Sequence, residues 1–426
     1  MEAWKSAFRV RCVSPARAIE AVQSGNRVVL GHAAGEPRDL VRELVRQADR
    51  LRGVEIVHMV PLYSCEYVRP EYKEIFTHNA LFVGADSRDA INDRRADYTP
   101  CFFSEIPRLF REGILPVDVA LIQLSPPDEH GYMSFGVSVD YTMQAARSAR
   151  LTIAEVNSQM PRTHGSFIHV SEVDFLVEAD YPLPEIPSPP ISEVEERIGS
   201  NIASLVPDGS NLQLGIGAIP DAVLKFLGDK KDLGIHTEMF SDGVVQLCEQ
   251  GVVTNRFNNL SPGKLTASFL MGTRRLYDFV NDNPGVDMRP VDYTNNVMVA
   301  GRLEKLISIN SALEVDLKGQ VCSEMIGPKQ FSAVGGQVDF VRAASASPGG
   351  KSIIAFPSTG RNGAVSRIVA ILSPGACVTT SRNDVHFVIT EYGVADLRGK
   401  TVRQRAEELI SIAHPDFRRM LKSQAM

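Results

Sequence analysis

The chain uses the same arrangement of glycines, strands and helices twice, and this repeat limits the folds it can adopt. Gly25 and Gly31 enclose a short apolar segment in the first half, and Gly209 and Gly215 enclose another at the same spacing. A proline, an amphipathic helix and a further apolar segment follow in each half. Strands that alternate with helices form mainly parallel sheets, so we predict two similar open α/β domains.

The two repeats differ in where their second strand carries an acidic residue. This strand is predicted over residues 54–59 in the first repeat and 234–239 in the second. Glu238 immediately precedes Met239, whereas no acidic residue immediately precedes Met59. We therefore expect the second domain to supply a reacting group and the first domain to supply a wall of the site.

A proline-rich segment over residues 181–190 separates the repeats. Prolines at this density neither continue a helix nor donate to a sheet. We place the boundary here, with an N-terminal domain over 1–185, a C-terminal domain over 186–426 and an active site in the cleft between them. The C-terminal domain is predicted to open with a helix from Glu193 to Leu205. Further buried strands are predicted over 118–124, 297–300, 352–356 and 384–389.

Composition excludes several classes of protein. The chain has 426 residues, 44% hydrophobic content and a formal charge of −6, and no apolar run is long enough to cross a membrane. The charge argues against a nucleic-acid partner. The six cysteines are scattered without a Cys-x-x-Cys pair, and the first six residues open no signal peptide, so we expect a cytoplasmic location.

Glu238 is the first candidate for chemistry. It lies among apolar or small residues in the segment 235–243, near a glycine-rich turn. A carboxylate near bare backbone N–H groups suits acyl transfer through an enzyme-bound anhydride. Two alternatives stay open. Glu238 is a solvated loop acid, or it forms half of a metal site with His236, although no second ligand pair has matching spacing.

Two glycine-rich segments are candidates for binding. Residues 215–217, followed by Pro220, let a ligand approach the backbone at a helix start, or form only a tight strand-to-helix turn. The spacing is not that of a dinucleotide-binding G-x-G-x-x-G motif. Gly335 and Gly336 expose consecutive N–H groups, which favours an oxyanion hole or a thioester cradle; a plain turn is the alternative.

Two other segments carry charged residues at predicted strand ends. Residues 125–132 contain Asp128, Glu129 and His130 in succession. Adjacent residues seldom converge on one ion, so a loop over the cleft is favoured above a metal site. The segment 390–399, which includes Glu391, reads by itself as a strand end and a turn.

Taken together and in this order, these segments resemble the acetyl-CoA hydrolase/transferase family within the class I CoA-transferases. The resemblance is nearest to the 4-hydroxybutyrate CoA-transferases and the butyryl-CoA:acetate CoA-transferases. The segments that carry it are 125–132, 215–220, 236–239, 335–340 and 390–393.

The resemblance implies a role for each matching residue. Glu238 is implied to be the nucleophile that forms a glutamyl-CoA thioester. Asn295 is implied to lie near it, and Gly336 to donate to the oxyanion or contact CoA. The family often has Asn-Asp-Pro where this chain has Asn295-Asn296-Val297. The CoA-binding residues implied are Gly215, Ile216, Gly217, Ala218, Ile219, Leu313, Gly335 and Gly336.

The function expected on this basis is CoA transfer from a short-chain acyl-CoA to a carboxylic acid, with ping-pong kinetics. The coenzyme A thioester is a substrate, and no metal or other cofactor is expected. Resemblance alone suggests a homodimer or higher homo-oligomer. The alternatives are an acyl-CoA hydrolase on the same scaffold and a non-catalytic acyl-CoA-binding protein. The acyl group stays open among acetyl, butyryl and 4-hydroxybutyryl types.

Overall fold

The computed structural model describes residues 3–63 and 65–425. The chain forms two compact units: unit 1 comprises Met1–Ile186 and Ala267–Tyr293, and unit 2 comprises Pro187–Thr266 and Thr294–Met426. The segment 267–293 thus belongs to unit 1, although it follows the proline-rich segment in the chain. Residues 180–192 contain neither helix nor strand.

Unit 1 is built on a seven-stranded sheet whose strands are all parallel. Every residue of its strand Val119–Leu124 is buried, as expected for a parallel strand covered on both faces. From one edge to the other, the strands are Asp97–Tyr98, Phe76–Ala80, Val54–His58, Arg27–Leu30, Val119–Leu124, Leu151–Asn157 and Phe175–Ala179.

Helices cover this sheet, and a separate antiparallel pair joins Tyr132–Ser134 to Phe167–His169. The helices of unit 1 are Ala3–Arg11, Pro15–Ile19, Arg38–Arg46, Ala85–Asn92, Ile106–Arg111, Thr142–Ser148 and Arg274–Val280. Its 3₁₀ helices are Ala33–Gly35, Ala48–Arg50, Glu66–Val68, Pro70–Tyr72, Phe103–Glu105 and Val170–Glu172. Its remaining strands are Phe269–Leu270 and Val286–Met288, and the strand Leu265–Ala267 and the helix Val291–Thr294 span the unit boundaries.

Unit 2 is built on a six-stranded sheet with five parallel strands and one antiparallel edge strand. From one edge to the other, the strands are Gly234–Ile235, Asn211–Gln213, Leu306–Asn310, Lys351–Ala355, Phe387–Thr390 and Gly393–Asp396. Together with unit 1, this confirms the prediction of two similar α/β domains with mainly parallel sheets.

The helices of unit 2 include the predicted opening helix, which begins at Glu193 and ends at Ala203. A capping box between Ser192 and Glu195 fixes its start. The other helices are Ala218–Lys225, Asp242–Glu249, Val297–Ala300, Gln337–Ala346, Val402–Ser411 and Pro415–Gln424. The short strands are Met239–Phe240, Glu314–Asp316, Val321–Cys322, Met325–Ile326, Lys329–Gln330, Thr359–Gly360, Val365–Ser366 and Ile368–Val369. In the described chain, every helix is too short or too polar to cross a bilayer.

One predicted strand is wrong: Val297–Ala300 is a single helical turn. The side chain of Asn296 caps it, accepting a hydrogen bond from the N–H of Met298 at 2.9 Å. Met298 is 79% exposed, so this short apolar run is not a buried strand. A run of four apolar residues does not distinguish a strand from a helical turn, and the cap decides.

The sheet registers correct the alignment of the two repeats by one residue. Arg27 pairs with Glu55 in unit 1, and its counterpart Asn211 pairs with Gly234 in unit 2. Counting onward from these pairs, Met59 and not its predecessor occupies the position that Glu238 has in unit 2. The first repeat therefore places an apolar side chain where the second places a carboxylate.

Candidate active site

Glu238 follows the edge strand of the unit 2 sheet. His236 bridges to Thr266 just after the strand Gly234–Ile235, and Glu238 lies on a bend before the strand Met239–Phe240. Its side chain is only partly buried. The carboxyl ends of parallel strands are where α/β sheets bind ligands, so this carboxylate is placed to meet a substrate.

Thr237 fixes the backbone beside Glu238. Its hydroxyl donates to the carbonyl oxygen of Leu214 at 2.9 Å, and the N–H of Leu214 donates to the same hydroxyl oxygen at 3.2 Å. The N–H of Thr237 donates to the carbonyl oxygen of Thr266 at 3.0 Å. These bonds hold the Glu238 bend at a constant distance from the glycine-rich turn that begins at Gly215.

The side chain of Asn295 holds the Glu238 carboxylate. Its Nδ2 donates to Oε2 of Glu238 at 2.8 Å, and Asn295 is fully buried. A hydrogen bond to a charged acceptor is stronger than one between neutral groups, so this contact orients the carboxylate. Asn296 stands where the family often has Asp. This difference leaves the geometry intact, because Asn296 caps the next helix, as Asp also would.

Gly336 is required for space rather than for its backbone conformation. Its φ of −94° and ψ of 5° are open to other residues. A Cβ at this position would lie 1.9 Å from Oε2 of Glu238 and 2.4 Å from Nδ2 of Asn295. Gly336 therefore lies against the carboxylate. It also starts the helix Gln337–Ala346, whose N-terminal end favours a negative charge beside it.

The glycine-rich turn follows the neighbouring strand, Asn211–Gln213. Gly217 has a φ of 112°, which favours glycine, and precedes the helix Ala218–Lys225. Apart from their chain neighbours, no atom of the residues that the structure describes lies within 4 Å of where a Cβ of Gly215 or Gly217 would stand, and Ile216 is 45% exposed. The turn thus offers open backbone, an exposed apolar side chain and a helix start, a surface suited to a ligand with apolar and anionic parts.

The remaining predicted residues lie at the ends of other elements of unit 2. Leu313 follows the strand Leu306–Asn310, is partly buried, and donates its N–H to the carbonyl oxygen of Cys322 at 2.8 Å. Gly335 has a φ of 53°, in the left-handed region, and directs the chain into Gly336. The structure brings Glu238, Asn295 and Gly336 into direct contact, while the CoA-binding roles stay predictions.

Sequence reasoning missed a polar pair beyond the carboxyl ends of two other strands of the unit 2 sheet. The carboxylate of Glu391 accepts from the N–H of Ser358 at 2.8 Å and from its hydroxyl at 2.5 Å. Burial lowers the pKa of Arg367, and the nearby Glu391 charge offsets part of that shift. The available signal was topological, because Ser358 and Glu391 both follow strands that lie side by side in a parallel sheet.

The charged segment 125–132 of unit 1 is organised as a turn by Asp128. Its Oδ1 accepts from the N–H groups of His130 and Tyr132, both at 2.9 Å, and its Oδ2 pairs with Arg162 at 2.7 Å. Burial alone would raise the pKa of Asp128, but these donors and the arginine lower it overall. Among residues 3–63 and 65–425, no three His, Cys, Asp or Glu side chains are grouped to hold a metal ion.

Comparison with known proteins gives matches over both halves of the chain. Residues 2–187 match the acetyl-CoA hydrolase/transferase N-terminal domain, and residues 272–425 match the corresponding C-terminal domain. The 4-hydroxybutyrate coenzyme A transferase of Clostridium kluyveri is 58% identical over 422 residues, which cover 99% of this chain and 98% of that protein.

Solved structures agree with these matches. The crystal structure of 4-hydroxybutyrate CoA-transferase from Porphyromonas gingivalis is 44% identical, with a TM-score of 0.85 and coverage of 99% of this chain and 98% of that one. The crystal structure of RipA from Yersinia pestis is 38% identical, with a TM-score of 0.94 and the same coverage of 99% and 98%. The chain therefore belongs to the acetyl-CoA hydrolase/transferase family.

Proposed function

We propose that this CoA-transferase moves CoA from a short-chain acyl-CoA to a carboxylic acid through a covalent thioester on Glu238. One observation carries the proposal. The partly exposed Glu238 carboxylate is held by Asn295 at 2.8 Å and lies so close to Gly336 that no Cβ fits there. A nucleophile fixed in this way loses little freedom when it reacts.

The first half-reaction transfers CoA to the enzyme. The Glu238 carboxylate attacks the acyl-CoA carbonyl carbon and the C–S bond breaks. CoA thiolate is released, and a mixed anhydride between Glu238 and the acyl group is formed. The thiolate then attacks the glutamyl carbonyl carbon, the anhydride C–O bond breaks, and the donor acid departs as its carboxylate. The product is glutamyl-CoA. Because the first acid leaves before the second acts, the kinetics are ping-pong.

The second half-reaction runs these steps in reverse with the acceptor. The acceptor carboxylate attacks the glutamyl thioester and releases CoA thiolate, which then attacks the acceptor carbonyl of the new anhydride. The acceptor leaves as its CoA thioester, and Glu238 is a free carboxylate again. Every step forms an oxyanion. Asn295 Nδ2 and the backbone at Gly336 are the groups beside Glu238 that would stabilise it, and a single such donor is worth roughly 3–4 kcal/mol.

The CoA moiety is proposed to bind along the turn of residues 215–219. The exposed Ile216 supplies an apolar contact for the pantetheine arm, and the start of the following helix suits a phosphate. Leu313 and Gly335 are proposed to complete this surface. The short acyl group is proposed to be of the acetyl, butyryl or 4-hydroxybutyryl type, because relatives that are similar over nearly the full chain carry the 4-hydroxybutyrate name.

We also propose that the reaction needs no resident metal or organic cofactor, because the thioester is already activated and its bond energy is exchanged. A homo-oligomer is proposed from the sequence resemblance, and a cytoplasmic location is proposed from the scattered cysteines. Chelator-treated enzyme should retain full activity. Light scattering should give a multiple of the chain mass of 46.7 kDa.

The central test combines a substrate screen with trapping of the intermediate. Wild type and Glu238→Gln are mixed with acetyl-, butyryl- and 4-hydroxybutyryl-CoA, with and without added acid, and thioester loss and formation are measured. Transfer should require the acid and should vanish in Glu238→Gln, which keeps the side-chain shape. Borohydride should inactivate only wild type that has met acyl-CoA. Thioester loss that is independent of added acid would instead identify a hydrolase.

A further inference from the structure

Thr294 holds the end of the Asn295 amide that faces away from Glu238. Its Oγ1 donates to Oδ1 of Asn295 at 2.9 Å, while Nδ2 of the same amide donates to Glu238 at 2.8 Å. A carboxylate only accepts hydrogen bonds, so it takes the NH₂ end, and the hydroxyl must donate to the carbonyl end. Thr294 and Asn295 are both fully buried.

His236 fixes the backbone of Thr294. Its Nε2 lies 2.9 Å from the carbonyl oxygen of Thr294, and because a carbonyl only accepts, the ring proton is on Nε2. His236 lies two residues before Glu238, and Thr294 lies immediately before Asn295. The two segments are therefore joined twice, through His236 to Thr294 and through Asn295 to Glu238.

We propose that Thr294 is a positioning residue for CoA transfer, acting on Glu238 through Asn295. This inference rests on the function proposed for Glu238. In the resting enzyme the carboxylate itself helps to orient the amide. Once Glu238 becomes an anhydride or a thioester, it has lost its charge and accepts hydrogen bonds more weakly. The bond from Thr294 is then what keeps Nδ2 aimed at the oxygen that becomes the oxyanion.

Donation to the amide oxygen has a second effect. It polarises the amide and makes its N–H a better donor, because hydrogen bonds in a buried chain strengthen one another. The benefit appears in the covalent steps rather than in substrate binding. Loss of the hydroxyl should therefore lower kcat and leave the KM for acyl-CoA nearly unchanged.

A double-mutant cycle tests the proposal. We expect Thr294→Val to lower kcat about tenfold, since a buried hydrogen bond is lost, and Thr294→Ser to stay within about twofold of wild type. In an Asn295→Ala background, Thr294→Val should cause no further loss, because the residue through which it acts is gone. Thr294→Ala replaces the valine variant if that protein fails to fold.

Thr152→Val is the matched control. Its hydroxyl is buried in unit 1 and donates to the carbonyl oxygen of Ala146 at 2.9 Å, so its loss should lower the thermal midpoint and leave kcat unchanged. Two results would overturn the role of Thr294 and leave the proposed function standing. One is a wild-type kcat in Thr294→Val; the other is an equal loss of kcat from Thr294→Val in the wild-type and Asn295→Ala backgrounds. Full transfer by Glu238→Gln would instead overturn the proposed function.

Discussion

A methyl group at residue 336 should disable the site without unfolding the protein. In Gly336→Ala the new Cβ would stand 1.9 Å from Oε2 of Glu238, whereas ordinary contacts begin near 3.4 Å, so the two atoms must separate by about 1.5 Å. The helix that starts here carries the fully buried Phe340, so the carboxylate is the part that yields. A displacement near 1 Å can cost on the order of 100-fold in rate. Loss of the bond from Asn295 adds about 1.5–3 kcal/mol.

We therefore expect Gly336→Ala to lower kcat at least about 100-fold. The assay is the initial rate of CoA transfer from acyl-CoA to acetate, together with borohydride trapping and a thermal melt. Gly228→Ala is the control, because within 3–63 and 65–425 no atom beyond its chain neighbours lies within 4 Å of its Cβ position, and its φ lies outside the left-handed region. A Gly336→Ala enzyme that keeps a third or more of wild-type kcat, with the melt unchanged, would refute the contact geometry.

Three further predictions concern backbone strain and pH. Gly217→Ala places a side chain at a φ of 112°, so it should cost about 1–3 kcal/mol in urea unfolding and raise the KM for acyl-CoA. Burial raises the pKa of Glu155 from 4.5 to about 8 despite its bonds with Tyr181 and Leu40. The contribution of Glu155 protonation to the free energy of unfolding is thus full below pH 4.5 and is lost as the pH rises to 8. Glu155→Gln should flatten this decline in the free energy of unfolding. Burial lowers the pKa of His78 from 6.5 to about 4, so its contribution is lost as the pH falls from 6.5 to 4, and His78→Asn should flatten that acid limb.

Local patterns were sufficient to predict two α/β domains with mainly parallel sheets, and they marked Glu238 and Gly336, which the structure brings into contact. The spacing of glycines, apolar runs and amphipathic helices reflects local backbone structure. Both domains are built from such local strand–turn–helix segments. These patterns placed Glu238 at a strand end, although the strand Gly234–Ile235 ends earlier and Glu238 itself lies on a bend. They failed at Val297–Ala300, where a single capping side chain selected a helical turn over a strand.

Features that depend on long-range packing lay beyond the sequence. The space required at Gly336 is set by Glu238, from a distant part of the chain, so its φ and ψ give no sign of it. The pairing of Ser358 with Glu391 depends on which strands become neighbours. Pattern alone also misaligned the repeats by one residue, because only the pairing of strands sets their register.

The two units differ in which carboxylate lies at the start of an equivalent helix. In unit 1 the helix Thr142–Ser148 leads into the strand Leu151–Asn157, as Gln337–Ala346 leads into Lys351–Ala355 in unit 2. The start of the first helix is already occupied by Asp140, whose Oδ1 accepts from the N–H groups of Tyr141 and Thr142.

The second helix begins after Gly335 and Gly336, neither of which has a side chain to fill its N-terminal end. The Glu238 carboxylate lies there instead, on the bend that follows the edge strand of the sheet, and it remains partly exposed. Asp140, by contrast, is fully buried and bonded to His32 and Ser138. Both helix starts thus have a carboxylate beside them, but Asp140 is bonded within the fold, whereas Glu238 stays partly exposed, as its proposed role requires.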